Sequence, residues 1–96
     1  MFLEKYVNNI YLDLIYSNYD EEYINNLDEY NFIQIYNLFK ENKFYFIEDI
    51  ILNYLEIFTM DYDEVYNGLI KLKQQLGDSY SYIIGNNMTF LDKLLD

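Results

Sequence analysis

The chain carries seventeen Asp and Glu against six Lys, for a net charge of −11 over 96 residues, and it contains no Cys and no His. Those absences exclude disulfides, thiolate metal sites and any nucleophile activated by an imidazole base. The negative balance opposes direct binding to nucleic acid, which depends on cations set against phosphates.

One small domain spanning residues 1–96 is expected. The opening MFLEKYVNN interrupts its apolar run with Glu4 and Lys5, unlike a signal peptide. The longest apolar run, Phe44 to Ile47, falls far short of a membrane span. A soluble cytoplasmic protein is the expectation. Phe, Tyr, Met, Ile, Asn and Lys supply more than half of the chain, while Ala, Arg and Pro are missing. These are the choices of AT-rich codons, which accounts for the thirteen tyrosines. The same bias should raise Lys, so the acidity runs against it. A charge this far from zero costs self-repulsion in the compact state.

The first predicted helix runs from about Phe2 to Tyr16, with Leu3, Tyr6, Val7, Ile10, Leu14 and Ile15 as its apolar stripe. Ser17-Asn18 ends it. Asp20 caps a short second helix, with Glu21 and Glu22 in the first turn, where the dipole favours anions, and with Tyr23, Ile24 and Leu27 facing inward. Asn31 is read as the cap of a third helix, Phe32 to Lys40, on Phe32, Ile35, Tyr36 and Phe39.

The strongest signal is the central stretch from Phe44 to about Thr59. Ile47, Ile50, Ile51, Tyr54, Leu55 and Phe58 recur at helical spacing, and Glu48, Asp49, Asn53 and Glu56 fill the opposite, solvated face. Asp61 and Glu64 then stand at N-cap and N3 of a fifth helix, an acidic capping box. That helix runs to Leu76, burying Val65, Tyr66, Leu69, Ile70 and either Leu72 or Leu76, with Gly77 just past its end. Asp78 or Ser79 caps a last segment through Ile83, Ile84, Met88, Leu91, Leu94 and Leu95, broken at Gly85–Asn87 and restarted near Thr89.

The fold class is therefore all-α, a compact single domain of five to six short amphipathic helices. One core should hold Ile10, Leu14, Ile35, Phe39, Ile47, Ile51, Leu55, Phe58, Leu69 and Leu91. Residues 46–58 and 79–91 also repeat at an offset of 33, with Ile50-Ile51 against Ile83-Ile84, Asn53 against Asn86 and Phe58 against Leu91. The rhythm is similar to the helical repeats of mitochondrial transcription termination factors. The proline and the basic surface of those repeats are absent, so the two stretches are read as helical hairpins of similar length, not as membership.

No catalytic constellation emerges, and neither a cofactor nor a metal is expected. Gly68, Gly77 and Gly85 are too isolated to cradle a phosphate. A calcium loop from Asp61 would need Gly and Glu where Tyr66 and Leu72 stand. The carboxylate pairs read first as caps and solvated dipole partners.

What stands out is acid interleaved with tyrosine. Tyr19, Asp20, Glu21, Glu22 and Tyr23 form one window with Asp28 and Glu29, and Asp61, Tyr62, Asp63 and Glu64 form a second. Eight of the seventeen acids lie in these two windows. Carboxylates one helix turn apart are about 5–6 Å apart at Cβ, near the phosphate repeat of a nucleic-acid strand. Tyrosine adds a stiff contact with a polar tip.

These eleven residues are the candidate partner-binding surface. The expected partner is a protein with a basic surface, a nuclease or a toxin, and the expected role is inhibition by occupying its nucleic-acid-binding site. The profile is similar to that of phage-encoded anti-defence inhibitors of restriction or CRISPR nucleases, which would place it in the host-cell cytoplasm. An immunity protein or antitoxin, and a helical adaptor or oligomer subunit acidic only for solubility, are the alternatives. An enzyme is not expected.

Overall fold

In the computed structural model, which describes residues 1–96, the chain is all helical. Seven α-helices form, slightly more than the five or six expected. They are α1 (Asn9–Asn18), α2 (Glu21–Asn25), α3 (Glu29–Glu41), α4 (Ile47–Asn53), α5 (Tyr62–Leu76), α6 (Tyr80–Asn86) and α7 (Asp92–Leu95). Three 3₁₀ turns accompany them: Phe2–Lys5 before α1, Leu55–Thr59 between α4 and α5, and Met88–Leu91 between α6 and α7. No helix is long and apolar enough to cross a membrane.

The predicted first helix is broken. Asn8 caps α1 by accepting the Tyr11 N–H at 3.0 Å, and its own N–H donates to Glu48 Oε2 at 2.8 Å. Leu3 and Val7 are buried before the break, but the apolar stripe does not continue across it. Ile10 is 73% exposed and Leu14 is 44% exposed, contrary to their predicted core positions, whereas Tyr11, Leu12 and Ile15 face inward. A stripe keeps its face only along one uninterrupted helix. Tyr23, expected to face inward, is only partly covered at 37% exposure, leaving Ile24 as the buried residue of α2.

The third helix starts earlier than predicted, because Asp28, not Asn31, caps it. Asp28 Oδ1 accepts the Asn31 N–H at 3.1 Å. At the other end Lys43 lies at φ 65°, in the left-handed region. The Phe44 N–H reaches the Phe39 carbonyl and the Lys43 N–H reaches Lys40, the paired bonds of a Schellman motif. The hydrophobic contact of that motif is the edge-on packing of Phe39 and Phe44, whose ring centroids are 5.1 Å apart.

The central stretch is also two elements. α4 ends at Asn53, whose side-chain amide donates back to the Asp49 carbonyl, and Tyr54 leaves helical geometry at φ −137°, ψ 44°. A continuous helix would have put Ile57 on the same face as Asn53. The break instead lets the tighter turn bury Leu55, Ile57 and Phe58 together. Glu48 and Asp49 are not a solvated face: both are half-buried against α1, and Asp49 Oδ1 accepts the Tyr11 hydroxyl at 2.6 Å.

In α5 the stripe is narrower than predicted. Val65, Leu69 and Leu72 are buried, while Tyr66 is 44% exposed and Ile70 39%. Gly77 ends it at φ 87°, ψ −171°, a region essentially reserved for glycine. Gly68 lets α7 approach, since a Cβ there would overlap the Leu94 side chain.

The offset of 33 marks a structural repeat, though not a pair of hairpins. Each copy is a seven-residue helix, one residue of break and a 3₁₀ turn: α4, Tyr54 and Leu55–Thr59, then α6, Asn87 and Met88–Leu91. The matched Ile51 and Ile84, and Phe58 and Leu91, are all buried.

Packing centres on α3, which lies against the Leu55–Thr59 turn, α4 and α5. Phe32 stacks on Phe58 with centroids 4.8 Å apart, and Phe39 packs on the same ring. Every buried residue is apolar or tyrosine, and no buried side-chain polar atom lacks a partner.

Candidate functional site: an acidic and tyrosine-rich surface around one 3₁₀ turn

Both acidic windows are anchored to the Leu55–Thr59 turn. The break at Tyr54 leaves the Leu55 N–H without a helical acceptor, and it donates to the Tyr19 phenol oxygen at 3.3 Å. The same phenol donates to Glu56 Oε2 at 3.4 Å. At the far end of the turn the Asn31 side-chain amide donates to the carbonyls of Phe58 and Met60, each at 2.9 Å. Asn31 is thus not a cap but a tie: Asp28 bonds its backbone, and its side chain holds the residue that precedes Asp61. The starts of α3 and α5, each carrying its acids, are joined there.

All eight predicted carboxylates are exposed. Asp20 and Asp61 occupy N-cap positions, yet neither side chain accepts a capping bond, so the expected capping box at Asp61 and Glu64 is not formed. Of the eight, only Asp28 accepts a hydrogen bond from the protein. No lysine pairs with any acid; the single ion pair joins the N-terminal amine to Glu4 at 3.9 Å. No group of three or more carboxylates is arranged to hold a metal ion.

The tyrosines divide by role. Tyr19 is half-buried, and its pKa is pushed up by burial and by the Glu56 charge, against the opposing pull of the Leu55 N–H. Tyr23 stacks on it with centroids 5.8 Å apart. In the second window Tyr62 stacks on Tyr66 in the same way, at 6.1 Å.

Comparisons with protein-family models, with curated proteins and with solved structures return no match.

Sequence reasoning left two contributors, Glu56 and Tyr66, out of the candidate surface. Glu56, assigned to a remote polar face, lines a shallow depression of about 450 Å³ with Asn18, Tyr19, Asp20 and Tyr23. Only the fold could show this, because 37 residues separate Glu56 from Tyr19. Tyr66 had a local signal: it follows Tyr62 by four positions, as Tyr23 follows Tyr19.

Proposed function

We propose that this protein is an acidic protein-binding inhibitor, which occupies the basic nucleic-acid-binding surface of a partner such as a nuclease. The observation that carries this reading is the attachment of both acidic, tyrosine-bearing windows to one turn, through Tyr19 and Asn31, with their carboxylates exposed and unpaired by lysine. Carboxylates at successive helix starts stand in for phosphates, and their field accelerates encounter with a cationic groove. The stacked tyrosines supply rigid contact area that slows dissociation. The chemistry required is binding alone, in keeping with a chain that has neither His nor Cys.

The test is capture of partners from a host lysate, followed by kinetics with the purified partner. Association should slow steeply with added salt, and a DNA or RNA duplex should compete. The Glu21→Lys, Glu22→Lys double variant should slow association while keeping the helical spectrum. Because Glu56 belongs to the surface, Glu41→Lys, on the last residue of α3, is the control. A partner bound without competition by nucleic acid, as a non-nuclease toxin would be, overturns the mimic reading. Binding indifferent to both salt and charge reversal leaves acidity for solubility alone.

A further inference from the structure

A second recess lies away from these windows, between α1, α3 and the start of α4. It has a volume of about 200 Å³ and is walled by Tyr6, Tyr11, Tyr36 and Tyr45, with Glu48 and Asp49 at its edge. Tyr6 and Tyr36 meet edge to face, with centroids 4.8 Å apart and planes at 62°, forming an aromatic corner. Tyr45 is 70% exposed. Tyr11 is held by its hydrogen bond to Asp49, and that bond is the leading cause raising its pKa.

The charges here are unbalanced. Glu48 Oε2 and Asp49 Oδ1 are each engaged by a neutral donor, the Asn8 N–H and the Tyr11 hydroxyl. Neither carboxylate meets a lysine, since the sole ion pair lies at the N-terminus. Two half-buried negative charges beside four tyrosine rings repel an anion, and a neutral apolar group would strip water from the carboxylates with nothing in return. An organic cation satisfies both: the rings attract it through their quadrupoles and accommodate its stem, while the carboxylates take its charge. The volume is below the roughly 300–1,000 Å³ of drug-sized pockets, which suits a single side chain.

We propose that this recess binds an alkylammonium group, the lysine side chain of a protein partner. The source of the lysine rests on the proposed function, because a basic nucleic-acid-binding surface is lysine-bearing; the recess chemistry does not. Tyrosine walls and carboxylates then act as an anchor distinct from the steering surface at Tyr19–Glu29 and Asp61–Glu64.

The recess is tested with no partner present, by titrating n-butylammonium chloride into the protein and following backbone amide NMR shifts. Saturable shifts confined to the recess, at Tyr6, Asn8, Tyr11, Tyr36 and Tyr45–Asp49, are expected, in the millimolar range, with n-butanol and equimolar NaCl giving none. The Glu48→Gln, Asp49→Asn double variant keeps both hydrogen-bond acceptors and should weaken binding about tenfold, as loss of roughly 1.4 kcal/mol of charge interaction requires. Tyr45→Ala should weaken it about two- to fivefold. Glu21→Lys with Glu22→Lys should leave it unchanged. Equal shifts from butanol, shifts spread over all the acids, or indifference to the neutralised pair overturns the proposal. Because butylammonium replaces the partner, failure here leaves lysate capture standing, and failure of capture leaves a positive titration standing.

Discussion

The phenol of Tyr54 donates to Asp92 Oδ1 at 2.7 Å, across 38 positions of the chain. Tyr54 is the residue at which the central helix breaks, so one local departure from helical geometry frees the Leu55 N–H for Tyr19 and ties the middle of the chain to α7. Burial first, and then the Asp92 bond and charge, push the Tyr54 pKa up to about 12 from 10.0. Tyr11, Tyr19 and Tyr80 are raised as well.

Those shifts set an alkaline limit. A raised tyrosine pKa means that the folded state keeps its proton where the unfolded chain has lost it. The stabilisation is fully present below pH 10.0 and is lost as pH climbs from there toward about 12. Thermal melts should hold steady up to about pH 9 and fall steeply above about pH 10, with Tyr54→Phe flattening part of the fall. A melting temperature unchanged through that window would contradict the burial of these phenols.

The break also decides which isoleucines hold the core. Ile57 is fully buried and Ile10 is 73% exposed. Ile57→Ala should cost about 2–5 kcal/mol in denaturant unfolding, and Ile10→Ala should stay within about 0.5 kcal/mol. Similar losses at the two sites would mean that residues 2–16 and the central stretch each form one continuous helix after all.

Backbone strain gives an opposed pair. Lys43 is the only non-glycine residue at positive φ, and the left-handed region costs an L-residue roughly 1–2 kcal/mol. Lys43→Gly should therefore stabilise the protein by up to about 1 kcal/mol, once the added freedom of glycine in the unfolded chain is counted. Gly77→Ala should destabilise it by about 1–3 kcal/mol, since no Cβ suits φ 87° with ψ −171°. Chemical denaturation midpoints read both, and the same sign for the two would refute the assignment.

Helical class, the starts of α2 and α5 at Asp20 and Asp61, the stop at Gly77, both acidic windows and the repeat at offset 33 could all be read directly along the chain. All but the repeat depend on neighbours within a turn or two: spacing of apolar side chains, residues suited to helix starts, glycine where a side chain would be strained. The repeat was legible as matched residues, yet its geometry was not, because a break after Asn53 or Asn86 differs little in local pattern from a continued stripe. Asn8, Tyr54 and Asn31 took their roles from partners at Glu48, Asp92 and Met60, all distant in sequence. Ile10 and Leu14 were left outside, and Glu56 was brought beside Tyr19, by the same contacts. An interrupted helix costs few hydrogen bonds when a side chain supplies the missing partner, as the Tyr19 phenol does for the Leu55 N–H. The burial of Ile57 and the packing of Phe58 against α3 then choose the break, and with it the surface that the acids share.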